Sequence, residues 1–142
     1  MNSNRDKPRQ LNCVLCVDDA EDFQSIIKIS LERLGGIEVH FCTDPQHAMA
    51  RAREVKPDMI LLDFVMPGLD GATLFKQLQS DADLAQIPVV FLTAVLTQPE
   101  VSNMKLLGTA GIITKPFDLL ELPRNLSAIW NSWNIASPAE LL

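Results

Sequence analysis

The sequence predicts an α/β fold: five βα repeats building a doubly wound, five-stranded parallel sheet with helices on both faces. Three observations lead there. Short apolar runs alternate with stretches of helical periodicity along nearly the whole chain. One run, Met59-Ile60-Leu61-Leu62, is apolar throughout, as a strand covered on both faces should be. Four of the runs also end on polar or charged residues. Asp18 and Asp19 follow Val14-Leu15-Cys16-Val17, Asp63 follows Leu62, Thr93 follows Val89-Val90-Phe91-Leu92, and Lys115 follows Gly111-Ile112-Ile113-Thr114. In open α/β sheets the carboxyl ends of the strands face the crevice where ligands bind.

In chain order, residues 11–17 form the first strand. Residues 21–34 follow as a helix, with Phe23, Ile26, Ile27, Leu31 and Leu34 near one face. Gly35-Gly36 ends it, because glycine accepts the left-handed conformation at a helix C-terminus. Residues 37–42 are the second strand. Thr43-Asp44-Pro45 starts the second helix with a capping side chain and an early proline, Ala48, Met49, Ala52 and Val55 form its inner face, and Lys56-Pro57 stops it. The third strand covers 59–64, and the third helix, 70–78, turns Leu74, Phe75 and Leu78 inward after Asp70-Gly71. A polar loop over 80–87 leads to the fourth strand at 88–93, and a shorter helix spans 99–107. Gly108 and Gly111 bracket the turn into the fifth strand, 112–115. The last helix begins near Asp118, with Leu122, Leu126, Ile129, Trp130 and Trp133 as its apolar stripe. Pro123 fits only in its first turn, where a missing N–H costs nothing. The chain divides into a polar extension (1–10), one domain (11–133) and a tail (134–142).

The bulk numbers narrow the function. At 142 residues, 47% of them hydrophobic, the chain has material for one well-filled core. A net charge of −6 argues against nonspecific nucleic-acid binding and against an anionic membrane surface. The first ten residues lack the apolar stretch of a signal peptide, and no apolar run approaches the about 18 residues of a membrane span. A cytoplasmic protein is expected. Three cysteines show no disulfide spacing. Cys13 and Cys16 match C-x-x-C, but residues three apart on a strand point to opposite faces, so they read as buried thiols rather than as a redox or metal pair. His40 and His47 have no partner at metal-ligand spacing and read as surface or edge residues.

Taken singly, Asp63 reads as a turn residue, Asp18 and Asp19 as helix caps, Lys115 as a solvated lysine and Thr93 as a strand filler. Asp70-Gly71 is a loop and N-cap. Together and in order, Val17-Asp18-Asp19, then Leu62-Asp63-Phe64-Val65-Met66-Pro67-Gly68-Leu69-Asp70-Gly71, then Leu92-Thr93-Ala94, then Thr114-Lys115-Pro116-Phe117 closely resemble the receiver domain of two-component response regulators. The likeness spans residues 11–133. It implies the flavodoxin-like strand order 2-1-3-4-5. It implies Asp63 as phosphoacceptor, with Asp18 and Asp19 (one directly, one through water), Asp63 and the backbone carbonyl of Val65 holding Mg²⁺ or Mn²⁺. Thr93 and Lys115 then bind phosphoryl oxygens, and the Lys115-Pro116 bond is expected to be cis. The phosphoryl donor is a histidine kinase or a histidine phosphotransfer protein, and output runs through protein contacts near the fourth helix, fifth strand and last helix. The chemistry agrees: crowded carboxylates repel, Mg²⁺ suits oxygen donors, and phosphoryl transfer depends mainly on positioning and charge stabilisation.

Two departures from the family pattern stand out. Ile112 occupies the position, three before the lysine, that is usually an aromatic switch residue, so the usual threonine–aromatic coupling is not expected. Val65 and Val95 occupy the positions that tune hydrolysis, and neither can orient a water, so a long-lived phosphoryl-aspartate is expected. The main alternative is a small phosphatase with an aspartyl-phosphate intermediate, of the haloacid-dehalogenase-like kind. Its general acid would sit two residues after the nucleophile, where this chain has Val65. A mononucleotide binder would need a phosphate-cradling loop after the first strand, where Asp18-Asp19-Ala20-Glu21-Asp22 repels phosphate. A stand-alone receiver, or a receiver excised from a larger protein, monomeric or weakly dimeric, is the expectation.

Overall fold

A computed structural model of the chain describes residues 10–66, 69–94 and 97–136. Its five strands are β1 (Cys13–Val17), β2 (Glu38–Cys42), β3 (Met59–Asp63), β4 (Val89–Thr93) and β5 (Gly111–Thr114). They pair in parallel, in the order β2-β1-β3-β4-β5. Helix α1 joins three kinds of turn: a 3-10 segment Glu21–Phe23, an α segment Gln24–Lys28 and a π segment Ile29–Leu34. Helix α2 follows a 3-10 turn, Pro45–His47, and runs over Ala48–Val55. The remaining helices are α3 (Gly71–Ser80), α4 (Gln98–Leu107) and α5 (Leu122–Ala136).

Side chains alternate along each strand, so the sheet feeds two cores. Val14, Cys16, Val39, Leu61 and Leu92 pack against Ile27 and Leu31 of α1 and Leu122, Leu126 and Trp130 of α5. Leu15, Val17, Ile60, Leu62 and Phe91 pack against Ala48 and Ala52 of α2, Leu74, Phe75 and Leu78 of α3, and Met104 of α4. Every residue of β3 and β4 is buried, which accounts for their uninterrupted apolar runs. The two-sided cover makes the sheet a rigid platform whose carboxyl-end loops are set by the register.

The helix boundaries follow the local chemistry. Asp44 caps the 3-10 turn that leads into α2 through the N–H of Gln46 at 2.9 Å, and Asp70 caps α3 through that of Thr73 at 2.7 Å. Thr97 and Glu100 form a reciprocal capping box at the start of α4. Gly36 and Gly108 have φ of 66° and 94°, the left-handed values expected after α1 and α4.

Several expectations need correction. Ile26 and Leu34 are 41% and 51% exposed, while Ile27, Ser30 and Leu31 are buried. Leu34 lies in the π segment, whose wider i→i+5 turn departs from the 3.6-residue period, whereas Ile26 lies before it in the α segment, beside the buried Ile27. Ser30 is drawn inward because its Oγ donates to the Leu119 carbonyl at 2.6 Å, tying α1 to the segment ahead of α5. The loop over 80–87 is not wholly polar: Leu84 is buried, and the Asp81 carboxylate accepts from the N–H groups of Asp83 and Leu84. Helix α5 starts at Leu122 after a turn closed by Asp118, with Pro123 in its first turn. It runs to Ala136, three residues past the expected boundary at 133. Among the described residues no helix is long and apolar enough to cross a membrane.

Candidate phosphoacceptor site

The parallel register carries the selected side chains to one end of the sheet. Val17 lies opposite Leu62, so Asp18 and Asp63, each one residue further on, leave the sheet side by side. Asp63 lies level with Leu92, which puts Thr93 one step beyond it on the neighbouring strand. Thr93 pairs with Thr114, and the Lys115 N–H donates to the Thr93 carbonyl at 2.7 Å, which sends Lys115 back toward the acids. The Lys115-Pro116 bond is cis. Asp18, Asp63 and Thr93 are buried, and Asp19 is exposed.

Asp18, Asp19 and Asp63 each place a carboxylate oxygen within 4.8 Å of the others. The Lys115 Nζ donates to Asp18 Oδ2 at 2.7 Å and lies 3.7 Å from Asp63 Oδ2. Asp18 Oδ1 accepts from the Ala20 N–H at 2.9 Å, and Asp63 Oδ1 accepts from the Val65 N–H at 3.1 Å. These contacts orient both carboxylates with little freedom.

The electrostatics follow from the crowding. Burial pushes the Asp63 carboxyl up to about 6, with Asp18 adding to the rise while the Val65 N–H and Lys115 oppose it. For Lys115, burial works against the charged form, but the hydrogen bond and charge of Asp18 and the charge of Asp63 win, and its pKa is raised. The pocket therefore holds more negative charge than its one ammonium offsets. Its donors are all oxygen, the set that suits a small hard divalent cation.

Some contributors were invisible in the sequence. The Lys115 ammonium stands 5.0 Å from the centroid of the Phe23 ring, a residue assigned above only to the inner face of its helix. Gly71 has a close-approach role: a Cβ there would meet the Asp63 carbonyl oxygen and the Phe64 Cα at 2.7 Å each. Its N–H donates to the Phe64 carbonyl at 2.9 Å, so α3 starts hard against the backbone that presents Asp63. Val65 is 71% exposed, and its side chain carries no hydrogen-bonding group. Ile112 lies opposite Phe91 in register and is half-buried against the α2–α3–α4 core. Val95 lies outside the described residues.

A parallel sheet of this order with an acid cluster and a lysine at its carboxyl edge defines a receiver-type signalling domain. The profile of the response regulator receiver domain matches residues 14–127, and the chain belongs to that family. Protein PilH of Pseudomonas aeruginosa is 33% identical over 116 residues, covering 82% of this chain and 95% of PilH. The alkaline phosphatase synthesis transcriptional regulatory protein PhoP of Bacillus subtilis is 33% identical over 126 residues, covering 89% of this chain and 51% of PhoP. Several curated relatives are about twice as long as the part matched, the chain spanning 51%, 48% and 50% of three of them. In three dimensions the chain resembles chemotaxis protein CheY4 of Vibrio cholerae. The TM-score is 0.76 at 26% identity, covering 84% of this chain and 98% of CheY4. The protein is thus a receiver domain of two-component signalling, and the phosphatase alternative is not favoured.

Proposed function

We propose that Asp63 is the phosphoacceptor of this receiver domain. The observation that carries the reading is the gathering of Asp18, Asp19 and Asp63 within 4.8 Å beside the Lys115 ammonium. A carboxylate oxygen of Asp63 attacks the phosphorus of a phosphohistidine on a histidine kinase or histidine phosphotransfer protein. The P–N bond breaks, imidazole leaves, and an aspartyl phosphate remains. Lys115 offsets charge on the phosphoryl oxygens and the Thr93 hydroxyl donates to one of them. The Val65 N–H holds the acceptor carboxylate in line.

The all-oxygen, partly exposed donor set fits Mg²⁺ or Mn²⁺, held by Asp18, Asp19, Asp63 and the Val65 carbonyl, which would neutralise the acids and bind phosphoryl oxygens. The domain proper runs from residue 11 through the whole of α5, which ends at Ala136, with the extension 1–10 ahead of it and a short tail behind. It works in the cytoplasm as a protein-binding module, monomeric or weakly dimeric, and catalyses only its own phosphorylation and dephosphorylation. Output passes through contacts on the α4–β5–α5 face. At Ile112 no ring can swing inward, so the usual threonine–aromatic exchange does not operate here.

The test is intact-mass measurement after incubation with Mg²⁺ and acetyl phosphate. One phosphate adduct is expected, absent in Asp63→Ala, and an undiminished adduct in that variant would overturn the assignment. With donor removed, the adduct on the unmodified chain should persist, because Val65 and Val95 cannot orient an attacking water. Rapid spontaneous loss would contradict the role given to those two positions.

A further inference from the structure

A second cluster of ligating groups lies at the opposite end of the first strand. Cys13 opens β1 and pairs in register with Glu38, the first residue of β2. His40 is two residues further along β2, so its side chain leaves the same face of the sheet as that of Glu38. Cys13 Sγ, a Glu38 carboxylate oxygen and a His40 ring nitrogen all lie within 4.8 Å of one another. The closest approaches are 2.6 Å from His40 Nε2 to Glu38 Oε2 and 3.8 Å from Cys13 Sγ to the same oxygen. The Asp58 carboxylate accepts from the backbone N–H groups of Asn12 and Cys13 at 2.9 and 3.0 Å, which fixes where the thiol emerges. Five residue steps along the strand separate Cys13 from Asp18, roughly 16 Å at about 3.3 Å per step, so this cluster is independent of the phosphoacceptor pocket.

We infer that Cys13, Glu38 and His40 form a binding site for a borderline-soft divalent transition ion, zinc above all. One thiolate, one imidazole and one carboxylate make a mixed S/N/O set, which selects against the hard ions of the all-oxygen pocket. Ideal zinc bonds of about 2.0–2.3 Å at tetrahedral angles place ligand atoms roughly 3.3–3.6 Å apart. The sulfur–carboxylate separation is already close to that range, and the histidine–carboxylate contact needs to open by under about 1 Å. Glu38 can supply that movement, because its side chain is 64% exposed. On binding, the ion takes the Cys13 sulfur as thiolate and the thiol proton passes to solvent. Three protein ligands leave a fourth position for water or for a donor from a partner. The C-x-x-C spacing has no part in this: Cys16 is buried in the opposite core, and the useful neighbours of Cys13 lie across the sheet.

The test uses the full chain with zinc alone, in competition with a chromophoric chelator, and with cobalt as a spectroscopic substitute. One equivalent of zinc should bind. Cobalt should give a thiolate-to-metal charge-transfer band, which a carboxylate pocket cannot produce. Cys13→Ser and His40→Ala should each weaken zinc binding by about tenfold or more, a loss that even outer-sphere changes can produce. Glu38→Gln, at an exposed position with little influence on folding, should weaken it comparably. Asp63→Asn should leave both the zinc affinity and the cobalt band unchanged. Absence of the band, or unchanged zinc affinity in Cys13→Ser and Glu38→Gln, would overturn the site and leave only a surface histidine–glutamate pair.

Discussion

Lys115→Met should destabilise the metal-free protein by about 3 kcal/mol at neutral pH, near the lower end of the cost of stranding a buried charge. The lysine side chain is 12% exposed, and its ammonium contacts Asp18 at 2.7 Å and Asp63 at 3.7 Å, both buried acids. Methionine preserves the apolar stem and removes only the charge, so the loss reports electrostatics and not a cavity. The pKa of Lys115 is raised in the fold, so its contribution is complete at neutral pH and disappears only as pH climbs through its alkaline folded value. The deficit of the variant should shrink on acidification, as Asp63 takes up a proton. It should shrink also with millimolar Mg²⁺, because the pocket without the ammonium is more negative and binds the cation more tightly, and tighter binding to the native state stabilises it more. Urea unfolding in chelator, at neutral and acid pH and then with Mg²⁺, measures all three effects. A loss below about 1 kcal/mol would mean that solvent already screens the ammonium, as at a surface pair.

Asp63→Asn should do the reverse and stabilise the metal-free protein by about 2 kcal/mol at pH 7. The acid is held at about 6 in the fold against an ordinary 3.8, so its ionisation is disfavoured by burial and by Asp18. A folded pKa above the unfolded one means that the favourable contribution is full below the lower value and is lost as pH rises through the upper one. The advantage of asparagine should therefore be absent below about 3.8, grow between there and about 6, and level off above. Asparagine keeps an oxygen that can accept the Val65 N–H, so little else changes. Urea midpoints across that pH range, in chelator, test the curve. A variant less stable than the parent chain at pH 7 would show that Lys115 already more than compensates the Asp63 charge. The two substitutions move stability in opposite directions from the same cause: the pocket holds an excess of negative charge that a cation relieves. Such strain is common where a site is tuned for chemistry instead of stability.

Much of this could be read before any coordinates. The apolar runs of β3 and β4, the caps at Asp44 and Asp70, and the early Pro45 and Pro123 are local features governed by local physics. The convergence of Asp18, Asp63, Thr93 and Lys115 was legible because parallel strands with right-handed crossovers put all their carboxyl ends on one side. What escaped was whatever depends on exact winding or on neighbours across the sheet. In α1 the hydrogen bond to the Leu119 carbonyl holds Ser30 inward, while Ile26 faces outward and Leu34, in the π turn, is exposed as well. Phe23 reached the ammonium of Lys115, and Gly71 proved to be where α3 touches the Asp63 backbone.

By itself the amino-acid order determined the class of fold, the family and the set of side chains at the phosphoacceptor edge, because strand alternation and strand-end placement are properties of short segments. Only the tertiary structure decided the distances and charges in that pocket, and whether Cys13 would meet Glu38 and His40. The reason is register: which residue of β1 lies beside which residue of β2 is set by packing of the whole sheet between its helices. A slip of one residue would turn that histidine and carboxylate to the other face.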